Sequence, residues 1–275
     1  MSVDKLIDSA QLESDLTDVA DAIRVKTGGT ADLAFPADFV SEIGGIETGG
    51  SGFTWDDLAS NQTPTGAVSF ETATAISAQA FYNRKGITSV DLTGITSIGD
   101  YAFAEDSNIT EITGTDDLLT IKQYAFRNCN KLGWLYFPKV TSTGNYMFYG
   151  AGKIGYGAVF PSLSGSLSAE FTRSGNYTVF DFGPNLTALG TRTFYNTSRT
   201  YTVILRNTNA VVTATATNCL DMKADSKVYV PSALIEDYQV ATNWSTKYAA
   251  GVEFLPIEGS IYETQYADGT PIPTT

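Results

Sequence analysis

The phrase Ile76-Ser77-Ala78-Gln79-Ala80-Phe81 returns as Ile98-Gly99-Asp100-Tyr101-Ala102-Phe103, and again as Ile121-Lys122-Gln123-Tyr124-Ala125-Phe126. Looser copies follow at Met147-Phe148, Phe171 and Thr193-Phe194. From Phe81 through Phe103, Phe126, Phe148 and Phe171 to Phe194 the step hardly changes. A fixed period of about 22–23 positions marks a solenoid, in which each coil packs on its neighbours. Between copies the chain alternates apolar and polar residues, as in Ile87-Thr88-Ser89-Val90-Asp91-Leu92 and Leu132-Gly133-Trp134-Leu135-Tyr136-Phe137. That period of two predicts a short strand in each coil. Pro138, Pro161 and Pro184 recur at the same interval and end the strand at the same place each time. The small residue before each Phe lets backbones approach. A Phe stacked in file contributes about 1.5–3 kcal/mol by side-chain transfer, which an isolated coil cannot capture. The expected fold is a mainly β solenoid over 76–226, one coil to each period.

Outward from the repeats, 53–75 holds Trp55 and Phe70 among polar residues and reads as an N-terminal cap. At the other end, Val228-Tyr229-Val230-Pro231 is one more strand with its Pro. Ser232 to Val240 reads as a helix, and with Trp244 and Tyr248 it forms an apolar C-terminal cap over 227–260. Residues 261–275 are polar and contain Pro, which predicts an extended tail.

Residues 1–46 differ in kind. Leu12, Leu16, Val19, Ala20 and Ile23 form one apolar helical stripe. Gly28-Gly29 ends that helix, and Pro36 opens a second with Phe39, Val40 and Ile43 on one side. Two short helices cannot bury their apolar faces alone. The Gly-rich linker 47–52 argues against tight packing on the solenoid. Leu12, Leu16, Val19, Ile23, Phe39 and Ile43 are therefore expected to dock on a partner or on copies of themselves, giving a homo-oligomer.

Net charge is −13, unevenly spread: residues 1–46 carry −6 and residues 76–226 carry +1. An acidic chain without a basic cluster argues against nucleic acid and anionic membrane surfaces. Hydropathy gives no membrane-inserting span, and the acidic run from Met1 to Ala20 does not read as a signal peptide. Cys129 and Cys219, several coils apart, read as two small buried residues rather than a disulfide framework.

Chemistry is poorly served. The chain has no His, which closes Ser-His and Cys-His schemes and His-ligated zinc. No metal, cofactor or catalytic residue is expected. The adjacent pairs Asp56-Asp57, Glu105-Asp106 and Asp116-Asp117 read as solvated turns, because adjacent side chains point apart. Asp181 interrupts the apolar run Val179-Phe180-Asp181-Phe182 and is placed on an outward strand face. Arg192, Arg199 and Arg206 are seven apart, about a third of a coil, and read as solvated. Gly150-Ala151-Gly152 lacks the Gly-Lys-Ser/Thr ending of a phosphate loop.

Binding is better served, with 15 Tyr and 3 Trp. With Leu135 and Phe137 assigned to the core, Trp134 and Tyr136 point outward. Tyr146, Tyr149 and Tyr156 lie in the next turn and extend the expected patch. Rigid amphipathic aromatics of this kind suit a sugar or protein partner.

The recurring Ile-x-x-x-Ala-Phe, with its Leu/Phe-Pro strand end, resembles the BspA-like leucine-rich repeats of bacteria and phages over about 68–258. The first three copies match well. Later ones depart, with Thr143 where an aliphatic is expected and Ala169-Glu170-Phe171 after Leu167. The solenoid is therefore expected to be less regular beyond 140. Separately, Ile23-Arg24-Val25-Lys26-Thr27-Gly28, Phe35-Pro36 and Ile43 resemble a segment that opens tail and fibre proteins of phages and prophages. Together the resemblances imply a non-enzymatic virion protein. It would be attached to tail or baseplate proteins through 1–46 and would display the solenoid to a host-surface glycan or protein. The alternatives are a bacterial surface or secreted adhesin of the repeat family and, third, a polysaccharide-cleaving enzyme on a solenoid.

Overall fold

The structure is a computed structural model that describes residues 66–70, 73–152, 156–167 and 177–273. The helices expected within 1–46 and their docking residues, the linker 47–52, Trp55 and Phe171 lie outside these residues.

Each coil has three sides. The first carries the longer strands and the second carries shorter ones. In chain order the coils contribute β1 (Gly66–Val68) and β2 (Ala75–Ile76), β3 (Ile87–Asp91) and β4 (Ser97–Ile98), β5 (Glu111–Thr113) and β6 (Thr120–Ile121). Then come β7 (Leu135–Tyr136) and β8 (Ser142–Thr143), β9 (Gly157–Phe160) and β10 (Gly165–Leu167), β11 (Val179–Phe182) and β12 (Leu186–Leu189). The later, less regular coils hold β13 (Phe194–Arg199), β14 (Thr202–Leu205), β15 (Thr213–Ala214), β16 (Leu220–Met222), β17 (Lys227–Val230) and β18 (Glu253–Pro256).

The first side forms two sheets, β1-β3-β5 and β7-β9-β11-β14-β17-β18. The second side forms β2-β4-β6-β8 and β10-β12-β15, and β13 pairs with β16. All of these pairings are parallel, as one-directional coiling demands. Register follows the sequence period. Ile76, Ile98, Ile121 and Thr143 stand in one row, so the polar Thr143 keeps its place in the ladder. Among the described residues the coils open at Gly66, and Val68 and Phe70, from the stretch expected to act as a cap, belong to the core.

The third side is the arm that ends in Phe. Alternate arm residues bond to the next coil: Gln79, Phe81 and Asn83 donate to the carbonyls of Asp100, Ala102 and Ala104. Tyr101, Phe103 and Glu105 do the same to Gln123, Ala125 and Arg127. The arm turns through two left-handed residues per coil. One column is Gln79, Tyr101, Tyr124 and Tyr146, with φ of 59°, 56°, 55° and 60°. The other is Asn83, Glu105, Asn128 and Gly150, with φ of 58°, 69°, 60° and 71°. Between them Phe81, Phe103, Phe126 and Phe148 stack in file, with centroids 5.3, 5.6 and 5.9 Å apart. A second file, Phe137, Phe160 and Phe182, runs inside the first side at 5.3 and 6.1 Å.

The last coil is closed by α1 (Ile235–Val240) and α2 (Trp244–Ala249). Tyr238 and Trp244 are fully buried, and both reach Val212. The Tyr238 hydroxyl accepts from the Val212 N–H at 2.8 Å, and Trp244 Nε1 donates to its carbonyl at 2.8 Å. β18 then adds a final strand beside β17.

Both cysteines are free and buried, as their spacing suggested. Cys129 occupies the coil position also held by Arg84, Asp106 and Ala151; each donates its N–H to the carbonyl of the Phe three positions earlier. Asp106 is therefore not the solvated turn residue expected from Glu105-Asp106. It is fully buried, with Arg84 beside it as the opposing influence on its charge. Burial pushes its pKa up to about 8. The folded chain then holds a proton at Asp106 between about pH 4 and 8 that the unfolded chain has lost, so stability falls as pH rises through that window. The slope is at most about 1.4 kcal/mol per pH unit. Asp106→Asn, which cannot ionise, should match the parent near pH 4 and exceed it in Tm by a margin that grows up to pH 8. Thermal melts across that range check this; a constant difference refutes it.

Candidate functional site

The outward face of the β7–β18 sheet is the best-built surface of the molecule. Alternation along each strand sends Leu135, Ala158, Phe180, Val203 and Val228 inward. Their neighbours Tyr136, Val159, Asp181, Ile204, Tyr229 and Leu255 form one outward row, fixed by in-register pairing. Val159 and Ile204 point away from the core cluster and yet are fully buried. What lies over this face is the C-terminal end. The extended tail expected over 261–275 is instead a strap, folded back across the sheet as far as 273. It holds a short 3-10 turn at Ile261–Glu263 and a bridge between Gln265 and Pro271.

An ion pair fixes the strap. Asp181, 1% exposed, accepts from Arg206 Nε and Nη2, both at 2.7 Å. Arg206 is thus not solvated, contrary to its reading from spacing. It lies one register row and two positions from Asp181, a relation that an interval of seven does not reveal. The pair's remaining capacity goes to strap backbone. Arg206 Nη1 donates to the Tyr262 carbonyl at 2.7 Å, Nη2 donates to that of Gln265 at 3.1 Å, and the Ala267 N–H donates to Asp181 Oδ2 at 2.9 Å. Burial raises the Asp181 pKa, against the opposing pull of Arg206. Tyr266 lies over the Arg206 guanidinium at 5.0 Å and against the Tyr136 ring at 5.7 Å. Tyr262 meets Tyr229 edge-on at 4.6 Å.

The five aromatic residues expected to make one patch fall into three groups. Trp134 points outward as expected and meets Tyr156 at 6.1 Å with the rings tilted by 54°. Tyr156 keeps 37% of its surface exposed. Tyr136 points outward too, but the strap's Tyr266 covers it, and burial raises its pKa. Tyr146 and Tyr149 belong to the arm side. There Tyr101, Tyr124 and Tyr146 stack at 4.8 and 5.1 Å, and Tyr149 meets Tyr124 and Tyr146 edge-on at 6.3 and 6.5 Å. Arg127 lies 5.8 Å from the ring centres of both Tyr124 and Tyr149. Burial, reinforced by the neighbouring phenols, raises the Tyr124 pKa. Tyr101 and Tyr124 were legible: both stand two positions before the repeating Phe. Tyr266 was not, because nothing local says that the chain end returns to β7.

Among the described residues no group of three or more Cys, Asp or Glu comes together to hold a metal ion. No described helix is long and apolar enough to cross a membrane. Three of the described carboxylates, Glu105, Asp117 and Asp181, are held by side-chain partners. Glu105 accepts from Asn128 Nδ2 at 3.0 Å and pairs with Arg127 at 3.4 Å. Asp117 pairs with Lys139 at 3.3 Å, and Asp181 is bound to Arg206.

No curated protein sequence matches the chain. Solved structures similar to it include the following. The pneumococcal vaccine antigen PcpA has 15% identity over 69% of this chain and a TM-score of 0.43; the match spans only 41% of PcpA. A leucine-rich-repeat protein of T. pallidum has 16% identity over 69% of this chain and 85% of its own, with a TM-score of 0.45. A leucine-rich cell surface protein of Faecalibacterium prausnitzii A2-165 has 12% identity over 80% of this chain and 85% of its own, with a TM-score of 0.28. The family model of the BspA-type leucine-rich-repeat region matches in six copies over residues 64–163 and 96–223, more than half of the chain. The chain belongs to the BspA-type leucine-rich-repeat family.

Proposed function

We propose that this chain is a non-enzymatic binding protein of adhesin type, which places its solenoid at a bacterial cell surface and contacts a glycan or protein there. The observation that carries this reading is the tilted, partly exposed Trp134–Tyr156 pair just before β7 and β9. Two amphipathic rings held at a fixed angle offer large contact area at little entropic cost. The near-neutral repeat body suits short-range contacts better than long-range electrostatic steering. Trp134→Ala and Tyr156→Ala remove exposed or half-exposed area and should leave Tm within about 2 °C, as surface changes do. Each should weaken retention on the target cell surface about tenfold or more, the scale of a binding hot spot. Flow cytometry with labelled protein measures this, and unchanged retention of the double variant removes the aromatic pair from the binding surface.

A second reading keeps the same binding surface and carries it on a phage tail. The observation in its favour is the N-terminal motif Ile23-Arg24-Val25-Lys26-Thr27-Gly28 with Phe35-Pro36 and Ile43. In that case Leu12, Leu16, Val19, Ile23, Phe39 and Ile43 dock on tail proteins or on copies of the chain. Light scattering of the full chain against residues 53–275 should then show an oligomer that the truncation reduces to a monomer. Two monomers would exclude self-assembly through these helices.

A further inference from the structure

We infer that the outward row of the β7–β18 sheet is a binding groove for a peptide turn, filled here by the chain's own residues 261–272. The strap crosses the strands rather than extending them. It leaves β18, and its contacts step back through Tyr229 on β17, Arg206 after β14, Asp181 on β11 and Tyr136 on β7. That path spans five inter-strand steps of about 4.8 Å, roughly 24 Å along the solenoid axis.

The strap does not close the solenoid. α1, α2 and β18 already cover the last coil, with Tyr238 and Trp244 fully buried there. Nor is the strap held as core is held. Of residues 261–272 only Tyr266 is buried, at 8% exposure; the others are half-buried or exposed. The sheet instead grips backbone, reading two strap carbonyls through Arg206 and one strap N–H through Asp181. Two rings anchor it: Tyr266, seated between Arg206 and Tyr136, and Tyr262, edge-on against Tyr229. The strap also supplies its own turn: Tyr266 N–H to the Thr270 carbonyl, Gly269 N–H to that of Tyr266 and Ile272 N–H to that of Thr264, with Gly269 at φ 92°. Backbone groups bonded by a charged pair, with aromatic rings as anchors, are contacts that a bound peptide turn can make. The ligand class is therefore a peptide turn that carries an aromatic side chain and presents two carbonyls and an amide to the Asp181–Arg206 pair.

This inference adjoins the surface of the proposed function but does not need it. The test uses purified chain, so cell binding can fail without affecting it, and the reverse. First, hydrogen exchange of the full chain should show strap amides, Ala267 above all, exchanging at least tenfold faster than Val203 and Val228. Exchange only with global unfolding would make the strap part of the fold and overturn the inference. Second, a fluorescent peptide of residues 258–273 is titrated against the parent and against Tyr266→Ala, followed by anisotropy. The peptide should bind Tyr266→Ala at least tenfold more tightly than it binds the parent, whose groove is filled. A peptide carrying the same Tyr-to-Ala change should fail to bind either. A dimer formed by strap exchange and dissociated by the peptide meets the same expectation. The inference is overturned if folded Tyr266→Ala does not bind the peptide, or if Tyr266→Ala does not fold at all, since the anchor would then be core.

Discussion

The N-terminal coils are held together by a near-constant coil length of about 22–23 residues, and the Phe file is where that constraint is enforced. Rings spaced 5.3, 5.6 and 5.9 Å apart stay in file only if each coil returns after the same length of chain. The same return sets the Ile76–Ile98–Ile121–Thr143 row and the Leu135–Ala158–Phe180 row. Longer coils near the C-terminal end still pair in register, as Thr202 does with Lys227 and Lys227 with Glu253, so their extra residues are taken up outside the strands. The arm meets the length by turning sharply twice. At one of the two left-handed columns the chain uses Asn, Glu, Asn and Gly, mostly residues that tolerate φ > 0. At the other it places Tyr in three coils running, at about 1–3 kcal/mol of backbone strain each. Ring stacking at 4.8 and 5.1 Å offsets part of that strain, on the order of 0.5–1.5 kcal/mol per pair.

Much of this was legible because a solenoid makes long-range contacts periodic. The Phe period set the coil length, and alternation placed Leu135 and Phe137 inside and Trp134 and Tyr136 outside. What a coil position demands was legible only on average. Ala151 and Cys129 fit the buried position, while Asp106 fills it with a carboxylate that local reading assigns to solvent. The grouping of Tyr146 with Tyr149 and Tyr124, apart from Trp134, depends on which side of the coil each turn reaches. Sequence distance does not carry that information. The strap was illegible for the opposite reason: its partners on β17, β11 and β7 follow no period, and its composition is that of a free tail.

The strap changes what the sheet face means. An outward row with Val159 and Ile204 in it would leave apolar surface on the first side of the solenoid. Covering the row removes that surface, and Tyr136 with it, while the Trp134–Tyr156 pair at the start of β7 keeps solvent access at Tyr156. Aromatic contact surface and covered groove therefore meet at β7. A partner seated on Trp134 and Tyr156 lies next to the strap's tip, and displacement of the tip would extend its contact along the row toward Asp181.

The ion pair is the informative choice in this face. A buried Asp–Arg pair rarely stabilises a fold more than apolar residues of the same volume, since desolvation offsets most of the attraction. Two apolar residues at 181 and 206 would pack against an apolar strap at least as well. They could not satisfy the Tyr262 and Gln265 carbonyls or the Ala267 N–H, which the pair bonds at 2.7, 3.1 and 2.9 Å. An irregular backbone lying across strands cannot use the sheet's own hydrogen bonds, which point along the ladder. It has to be met by side chains, and the cost of leaving such groups dry is about 1–3 kcal/mol each. With the strap lifted, the same pair remains acceptable to water, where two apolar residues would add to the exposed patch. A charged pair at this point therefore suits a face that is both gripped and released. It reads backbone geometry rather than strap side chains, so specificity beyond the turn itself falls to the rings of Tyr262 and Tyr266.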